Sequence, residues 1–322
     1  MRHAIGIDIG GGSTKIGLVS EDGQIIDRCK VAPDPEDHGD VITEAIADGV
    51  NGLMRQGVLV SGIGVGYPGP IHPGNMSGGV GNVAGLNNYP LATRLTDLLG
   101  LPARLENDAT AAALAEASFG AGRVAKRLLM VTAGTGIGVA MIVDGQAMVT
   151  SGGCLGDAGH IIVSGDSHLR CRLGCTGCLE AMASAEALDD IAVAEAASQP
   201  LGAIARHAAI SGAQPSATTI IHCALAGDTT AQAILADAGR WIGRAVASWV
   251  HTFAPDMVVI GGGLGAAGTF LLAPLEAEAR RCGLRDYFAR LPIVPATMGN
   301  DAGIIGAAAQ IFVTPSAASA VK

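Results

Sequence analysis

One stretch sets an amide between two carboxylates at the end of an apolar run: Leu105-Glu106-Asn107-Asp108. Residues 101 to 105 read as a short strand. The run Ala109-Thr110-Ala111-Ala112-Ala113-Leu114-Ala115-Glu116 reads as a helix, because Ala, Leu and Glu are strong helix formers. Asp108 is therefore expected at a strand-to-helix junction, near the positive end of the helix dipole. Two roles are open to it. It can cap the helix, or it can take the proton of a bound hydroxyl as a general base. Several glycine-rich turns elsewhere, suited to holding phosphate near one carboxylate, favour the second.

The first such turn is Asp8-Ile9-Gly10-Gly11-Gly12-Ser13-Thr14-Lys15, between apolar strands expected at 3–8 and 16–19. It reads either as a tight hairpin or as a loop whose backbone N–H groups face an anion. Three glycines with Ser13, Thr14 and Lys15 exceed the needs of a plain hairpin, and the Walker spacing GxxxxGK[ST] is absent. A second turn, Ala133-Gly134-Thr135-Gly136-Ile137-Gly138, follows a strand at 128–132 that ends on Thr132. A third, Gly261-Gly262-Gly263, follows a strand at 257–260. Its glycines suit a flat heterocycle lying on backbone, or simple close packing. Pro68-Gly69-Pro70 makes a stiff loop, either a plain turn or a wall for a small ligand, and Asn82 lies in another polar loop.

Of seven Cys, Cys171, Cys175 and Cys178 fall within eight residues, while Cys29, Cys154, Cys223 and Cys282 are scattered. Clustered thiols interleaved with glycines have structural-zinc spacing, with His160 upstream as a fourth ligand. The plainer alternative is a loop with incidental buried thiols.

The elements that must position these residues are legible from periodicity. Ile42, Ile46, Val50 and Met54 mark one helical face within 41–55. Residues 185–197 and 229–253 carry long Ala-rich amphipathic patterns, with Trp241 and Trp249 expected in the core. Strand, glycine-rich turn with a hydroxyl, strand, polar turn and strand occur twice, the second time through Asp144-Gly145, a type I′ signal. That repeat predicts an internally duplicated α/β fold with a cleft between its halves. The length of 322 residues suits two domains, and 49% hydrophobic residues can fill their cores. A net charge of −9 and 3% aromatics argue against nucleic acid. No apolar run has membrane-spanning length and no signal-peptide pattern precedes the first strand, so no membrane partner and a cytoplasmic location are expected.

Together these residues resemble the ROK family of sugar kinases and related repressors, in the actin and hexokinase superfamily, over essentially the whole chain. The segment from Asp8 through Gly10, Gly11, Gly12, Ser13 and Thr14 to Lys15 resembles the first phosphate loop, with Gly12 where the family usually has Thr. Ala133 to Gly138 resembles the second phosphate loop, and Gly261-Gly262-Gly263 the adenosine segment. Glu106-Asn107-Asp108-Ala109 resembles the catalytic strand end, while Pro68, Gly69 and Asn82 fall in sugar-pocket loops. Gly159-His160, Cys171, Gly174, Gly177, Cys178 and Glu180 match the zinc motif. Leu173 stands at a usual Cys position, Cys175 comes two residues later, and Asp157 replaces the usual Glu.

The resemblance implies a duplicated ribonuclease-H-like, actin-like ATPase fold with an interdomain cleft. Its N-terminal domain is expected at 1–118, with a C-terminal helix at about 304–322 packing back on it, and its larger domain at 119–303. It implies ATP and Mg²⁺, a structural Zn²⁺ on His160, Cys171, Cys175 and Cys178, and Asp108 as the base. Asn107, Asp157, His160 and Glu180 are implied as sugar contacts, and Asp8, Thr132, Gly134, Thr135 and Gly136 on the nucleotide side. The implied reaction is phosphorylation of the 6-hydroxyl of a hexose, glucose first, by a homodimer or higher homo-oligomer. The alternatives are an N-acetylhexosamine, fructose or a sugar-like cyclitol as substrate, polyphosphate as donor, or a non-catalytic sugar sensor. Family repressors carry N-terminal DNA-binding helices; here the first strand starts at once, which points to the kinase branch.

Overall fold

The computed structural model describes residues 1–54, 58–72, 76–79, 83–148 and 156–312. The chain divides into two compact units. One holds Met1–Met130, Ala140–Gly156 and the chain from Thr297; the other holds Val131–Val139 and Asp157–Ala296.

The chain opens on β1 (His3–Gly10), β2 (Ser13–Ser20) and β3 (Ile25–Val31), an antiparallel meander. Helix α1 (Gly39–Leu53) carries it to β4 (Val60–Tyr67), and a short ribbon, β5 (Ile71–His72) with β6 (Met76–Ser77), follows. Then come α2 (Leu91–Leu99), β7 (Ala103–Asn107) and α3 (Asp108–Phe119). The sheet order is β3-β2-β1-β4-β7, with β4 parallel to both β1 and β7. The register sets Asp8 beside Gly66, Gly66 beside Glu106 and Tyr67 beside Asn107. The carboxyl ends of three parallel strands thus bring the candidate residues of distant segments into one row, the usual place for a ligand site in an α/β sheet. Strand β7 begins at Ala103, later than its apolar residues imply: Pro102 has no N–H for the ladder, and only its carbonyl is used, by the Ile63 N–H at 2.9 Å. On α1 the expected face is buried through Ile42, Ile46 and Val50, which join Ile5, Ile7, Ile16 and Ile63 in the core.

The second half repeats the scheme with β8 (Arg127–Ala133), β9 (Ile137–Val143) and β10 (Gln146–Ala147). Asp144 and Gly145 take φ of 49° and 76°, as a type I′ turn requires. Five helices come next: α4 (Leu179–Ala183), α5 (Ala185–Ser198), α6 (Ala203–Ser211), α7 (Ala217–Leu225) and α8 (Thr229–Phe253). Strand β11 (Met257–Gly261), α9 (Thr269–Cys282), α10 (Arg285–Phe288) and β12 (Ile293–Pro295) complete it. The sheet order β10-β9-β8-β11-β12 is the order of the first sheet again, so the duplicated α/β fold read from the repeated pattern is the fold observed. No helix among the described residues is long and apolar enough to cross a membrane.

On α8, Trp249 is buried as expected, but Trp241 is only half-buried, with the Arg244 guanidinium lying over its ring, 4.4 Å from the centroid. Arg244 also meets Glu278 of α9 at 2.9 Å, and Arg281 meets the same carboxylate at 2.7 Å. Their hydrogen bonds hold the buried Glu278 carboxyl down at about 2. A folded pKa below the unfolded value of 4.5 means the stabilisation is complete above that value and is lost as pH falls toward 2. Glu278→Gln should therefore lower Tm at pH 7, and its gap from wild type should close on acidification. Thermal scans from pH 7 to pH 3 check this; a gap that ignores pH would mean the ion pairs contribute nothing.

The final helix, α11 (Ala302–Phe312), packs on the first sheet through Ile304 and Ala308 against Ala4 and Val19. It also meets α3, where a β-carbon on Gly306 would lie 1.6 Å from the Ala111 carbonyl oxygen. That close approach explains why both helices are built of small residues. Residues 313–322, the end of the helix expected to reach 322, lie outside the described residues.

Candidate active site

Asn107, not Asp108, caps α3. Its Oδ1 accepts the N–H groups of Ala109 at 3.0 Å and Thr110 at 3.2 Å. Its Nδ2 donates to the Gly69 carbonyl at 3.3 Å, which ties the Pro68-Gly69-Pro70 loop to the junction. The capping role open to Asp108 in the sequence is thus taken by its neighbour. Asp108 is left as the first helical residue, its Oδ1 accepting the Ala109 N–H at 2.7 Å. Burial pushes its carboxyl up to about 6, and the negative charge of nearby Asp8 adds to the shift. Glu106 is pushed up by burial too, to about 7.

Tyr67 was not singled out by its sequence context, yet it joins the loops here. It is fully buried, its hydroxyl donates to the Gly78 carbonyl at 3.0 Å, and burial pushes its pKa to about 12. A tyrosine at the end of an otherwise apolar strand was the available signal. Asn82 lies outside the described residues.

The first phosphate-loop candidate is a tight hairpin. Gly10 pairs with Ser13, so only Gly11 and Gly12 form the turn, both exposed. Asp8 lies opposite Lys15, and their side chains pair at 3.2 Å. Ser13 is half-buried, but Thr14 is 2% exposed, so its hydroxyl is not presented to solvent as the phosphate reading expected. Side chains alternate along a strand, and position 14 falls on the core side.

In the second unit two glycine-rich turns come together. The Gly134 N–H bonds the Gly136 carbonyl at 2.9 Å, leaving Thr135 exposed at the tip, with Thr132 half-buried behind it. Gly262, at φ 86°, lies so close that a β-carbon there would sit 2.3 Å from the Ala133 carbonyl oxygen. Gly261 is the buried end of β11, and Gly263 is exposed beside it. Glu180 joins the same turn: its Oε2 accepts the Ile137 N–H at 3.1 Å, and a β-carbon on Gly136 would collide with it at 2.4 Å. One oxygen of this expected sugar contact is therefore already engaged by the turn.

Asp157 and His160 lie on the short 3₁₀ turn Gly156–His160, Asp157 exposed and His160 half-buried. His160 Nδ1 stands 3.6 Å from Cys171 Sγ and 4.0 Å from Cys178 Sγ, and its Nε2 is 4.0 Å from Glu180 Oε1. For tetrahedral zinc with usual bond lengths, the N···S edge is about 3.6 Å. The three side chains therefore fit such an ion, with the ligand histidine backed by a carboxylate. Cys178 is fully buried, and burial pushes its thiol up to about 11. Cys175, expected as a ligand, falls outside this three-membered cluster. Its thiol packs against Cys171 and Cys178 and hydrogen-bonds the Cys171 side chain, and its carbonyl accepts the Cys171 N–H at 3.0 Å after the turn at Gly174. Leu173 is exposed.

This chain is 32% identical over 315 residues to a glucokinase of Halalkalibacterium halodurans, covering 95% of this chain and 93% of that one. It is 30% identical over 312 residues to an N-acetylmannosamine kinase of Escherichia coli, covering 94% and 96%. Among solved structures it resembles the ROK family glucokinase from Streptomyces griseus in complex with glucose and AMPPNP, with TM-score 0.81 and 31% identity over 95% of this chain and 98% of that one. The ROK family model matches residues 4–312, and the chain belongs to the ROK family.

Proposed function

We propose that this protein is an ATP-dependent sugar kinase that moves the γ-phosphoryl group of ATP to the 6-hydroxyl of a hexose, glucose foremost. The observation that carries the reading is Asp108. It is a carboxylate relieved of capping by Asn107 and raised to about 6, which suits a general base at neutral pH. Asp108 accepts the hydroxyl proton as the sugar oxygen attacks phosphorus. The bond from phosphorus to the bridging oxygen breaks, and ADP leaves with that electron pair. Phosphoryl transfer needs positioning and charge neutralisation more than covalent help. Lys15 and the backbone of the glycine turns supply donors for the phosphates. Asp8 would hold the Mg²⁺ that accompanies ATP; its charge already bears on Asp108, a repulsion that a divalent cation relieves. That ion supplies neutralisation of phosphate charge.

Asp157, His160 and Glu180 are assigned to the sugar, as are Asn107 and Gly69, which are joined by a hydrogen bond in the first unit. Zinc on His160, Cys171 and Cys178 would brace the segment carrying these residues. The same reading carries a homo-oligomer in the cytoplasm. A coupled assay of ADP release across glucose, mannose, fructose, N-acetylglucosamine, N-acetylmannosamine and inositol tests it; no turnover with any of them would leave a sugar sensor.

The relationship to an N-acetylmannosamine kinase supports a second substrate class, the acetamido sugars. Asp157 discriminates the two. It is shorter by one methylene than the Glu usual in the family, and one lost contact to a sugar hydroxyl costs about 1–3 kcal/mol. If glucose is the substrate, Asp157→Glu should lower its KM with little change in kcat. If the extra space takes an acetamido group, the same change should weaken use of that sugar. Unchanged KM values for both would remove Asp157 from the pocket.

A further inference from the structure

Glu116 is a buried charged group that the mechanism above leaves unused. It lies on α3, eight residues after Asp108, and is 0% exposed. Its Oε1 accepts the N–H groups of Thr297 and Met298, both at 2.7 Å. Its Oε2 accepts the Ala121 N–H at 2.8 Å and the Thr297 hydroxyl at 3.2 Å. All four partners are donors, and all are neutral. Only an acceptor-only group satisfies such a set, since an amide would turn its own N–H₂ toward N–H groups.

The segment held in this way leads directly to the Asp8–Lys15 pair. The Asn300 carbonyl accepts from Lys15 Nζ at 3.3 Å, and Asp301 pairs with Arg28 at 3.0 Å. Gly303 then lies so tightly against Asp8 that a β-carbon there would be 2.5 Å from Asp8 Cγ. Residues 297–303 therefore form a backing on which both charged side chains rest. One helix carries the base at its start and, near its end, the carboxylate that fastens this backing.

We propose that Glu116 is a positioning residue for the nucleotide: through Thr297 and Met298 it fixes the segment that sets Asp8 and Lys15. The inference rests on the kinase reading. It differs from a merely structural role, in which Glu116 would only staple the end of α3 and the folded protein would bind nucleotide normally.

The test is calorimetric titration of AMPPNP with Mg²⁺ into wild type, Glu116→Gln and Thr297→Val, with a thermal melt of each. Glu116→Gln should weaken AMPPNP binding by the folded protein about tenfold or more, as loss of an outer-shell partner does at a metal site. Thr297→Val keeps the carboxylate but removes one donor, and should weaken binding about threefold. If Glu116→Gln does not fold, Thr297→Val decides alone. Normal AMPPNP affinity in the folded variants, even with a lowered Tm, would overturn the proposal and leave the kinase reading intact. Failure of wild type itself to bind AMPPNP would instead remove the kinase reading, and this inference with it.

Discussion

Asp108→Asn should lower kcat at least about a hundredfold, the usual minimum contribution of a positioned general base. The fold should survive. The Asn oxygen can still accept the Ala109 N–H that Asp108 accepts at 2.7 Å. The change also removes a buried charge that Asp8 repels, so Tm should stay level or rise. KM for the sugar should change far less than kcat, because the lost interaction forms as the proton moves. The pH dependence gives an independent check. A base works only when ionised, so wild-type kcat/KM should rise with pH through a midpoint near 6 and then level off. If Asp108→Asn keeps near-wild-type kcat and a limb near 7, the base is Glu106, whose carboxyl burial raises to that value.

The sequence made the two strand-turn-strand halves legible because glycine-rich turns between apolar runs have few other structural meanings. The observed sheets repeat one strand order for that reason. The junction at 107–108 was legible as a place but not as a division of labour. Asp and Asn cap helices about equally well, so which of two adjacent residues caps depends on backbone geometry. In the fold, Tyr67 pairs with Asn107 across the ladder and the Gly69 carbonyl meets the Asn107 amide, which fixes Asn107 as the cap.

Glu116 was legible only as a helix former at the end of an Ala-rich run. Its partners Thr297 and Met298 lie 181 and 182 residues away, and no local pattern announces a contact of that span. Thr14 is a related case: a hydroxyl in a glycine-rich turn reads as a phosphate ligand, while strand pairing through Gly10 and Ser13 sets it among the buried residues. Glu180 shows the opposite case. Its motif was plain in the sequence, while its bond to the Ile137 N–H depends on a turn 43 residues earlier.

Removal of metal should have the second large effect. Purified protein should carry about one zinc per chain, and Cys178→Ser should lose it. Cys178 does two things at once: its thiol belongs to the cluster with His160 and Cys171, and it caps α4 by accepting the Ala181 N–H at 3.5 Å. Serine can keep the cap but is a poor zinc ligand, so the variant separates the two roles. The expected loss is about 4 kcal/mol or more of stability, the range reached when a structural metal is lost. The effect should reach the nucleotide side too, because Glu180 on α4 holds the Ile137 N–H at the edge of the Gly134–Gly136 turn. Elemental analysis, a thermal melt with and without chelator, and AMPPNP titration read these three consequences separately. Cys175→Ser supplies the contrast. Its thiol lies outside the cluster, so zinc content and Tm should stay near wild type. Loss of zinc in Cys175→Ser would show that the 171–178 turn rearranges around the ion to bring a third thiol in. Metal-free wild type with unchanged Tm and AMPPNP affinity would remove the zinc site altogether.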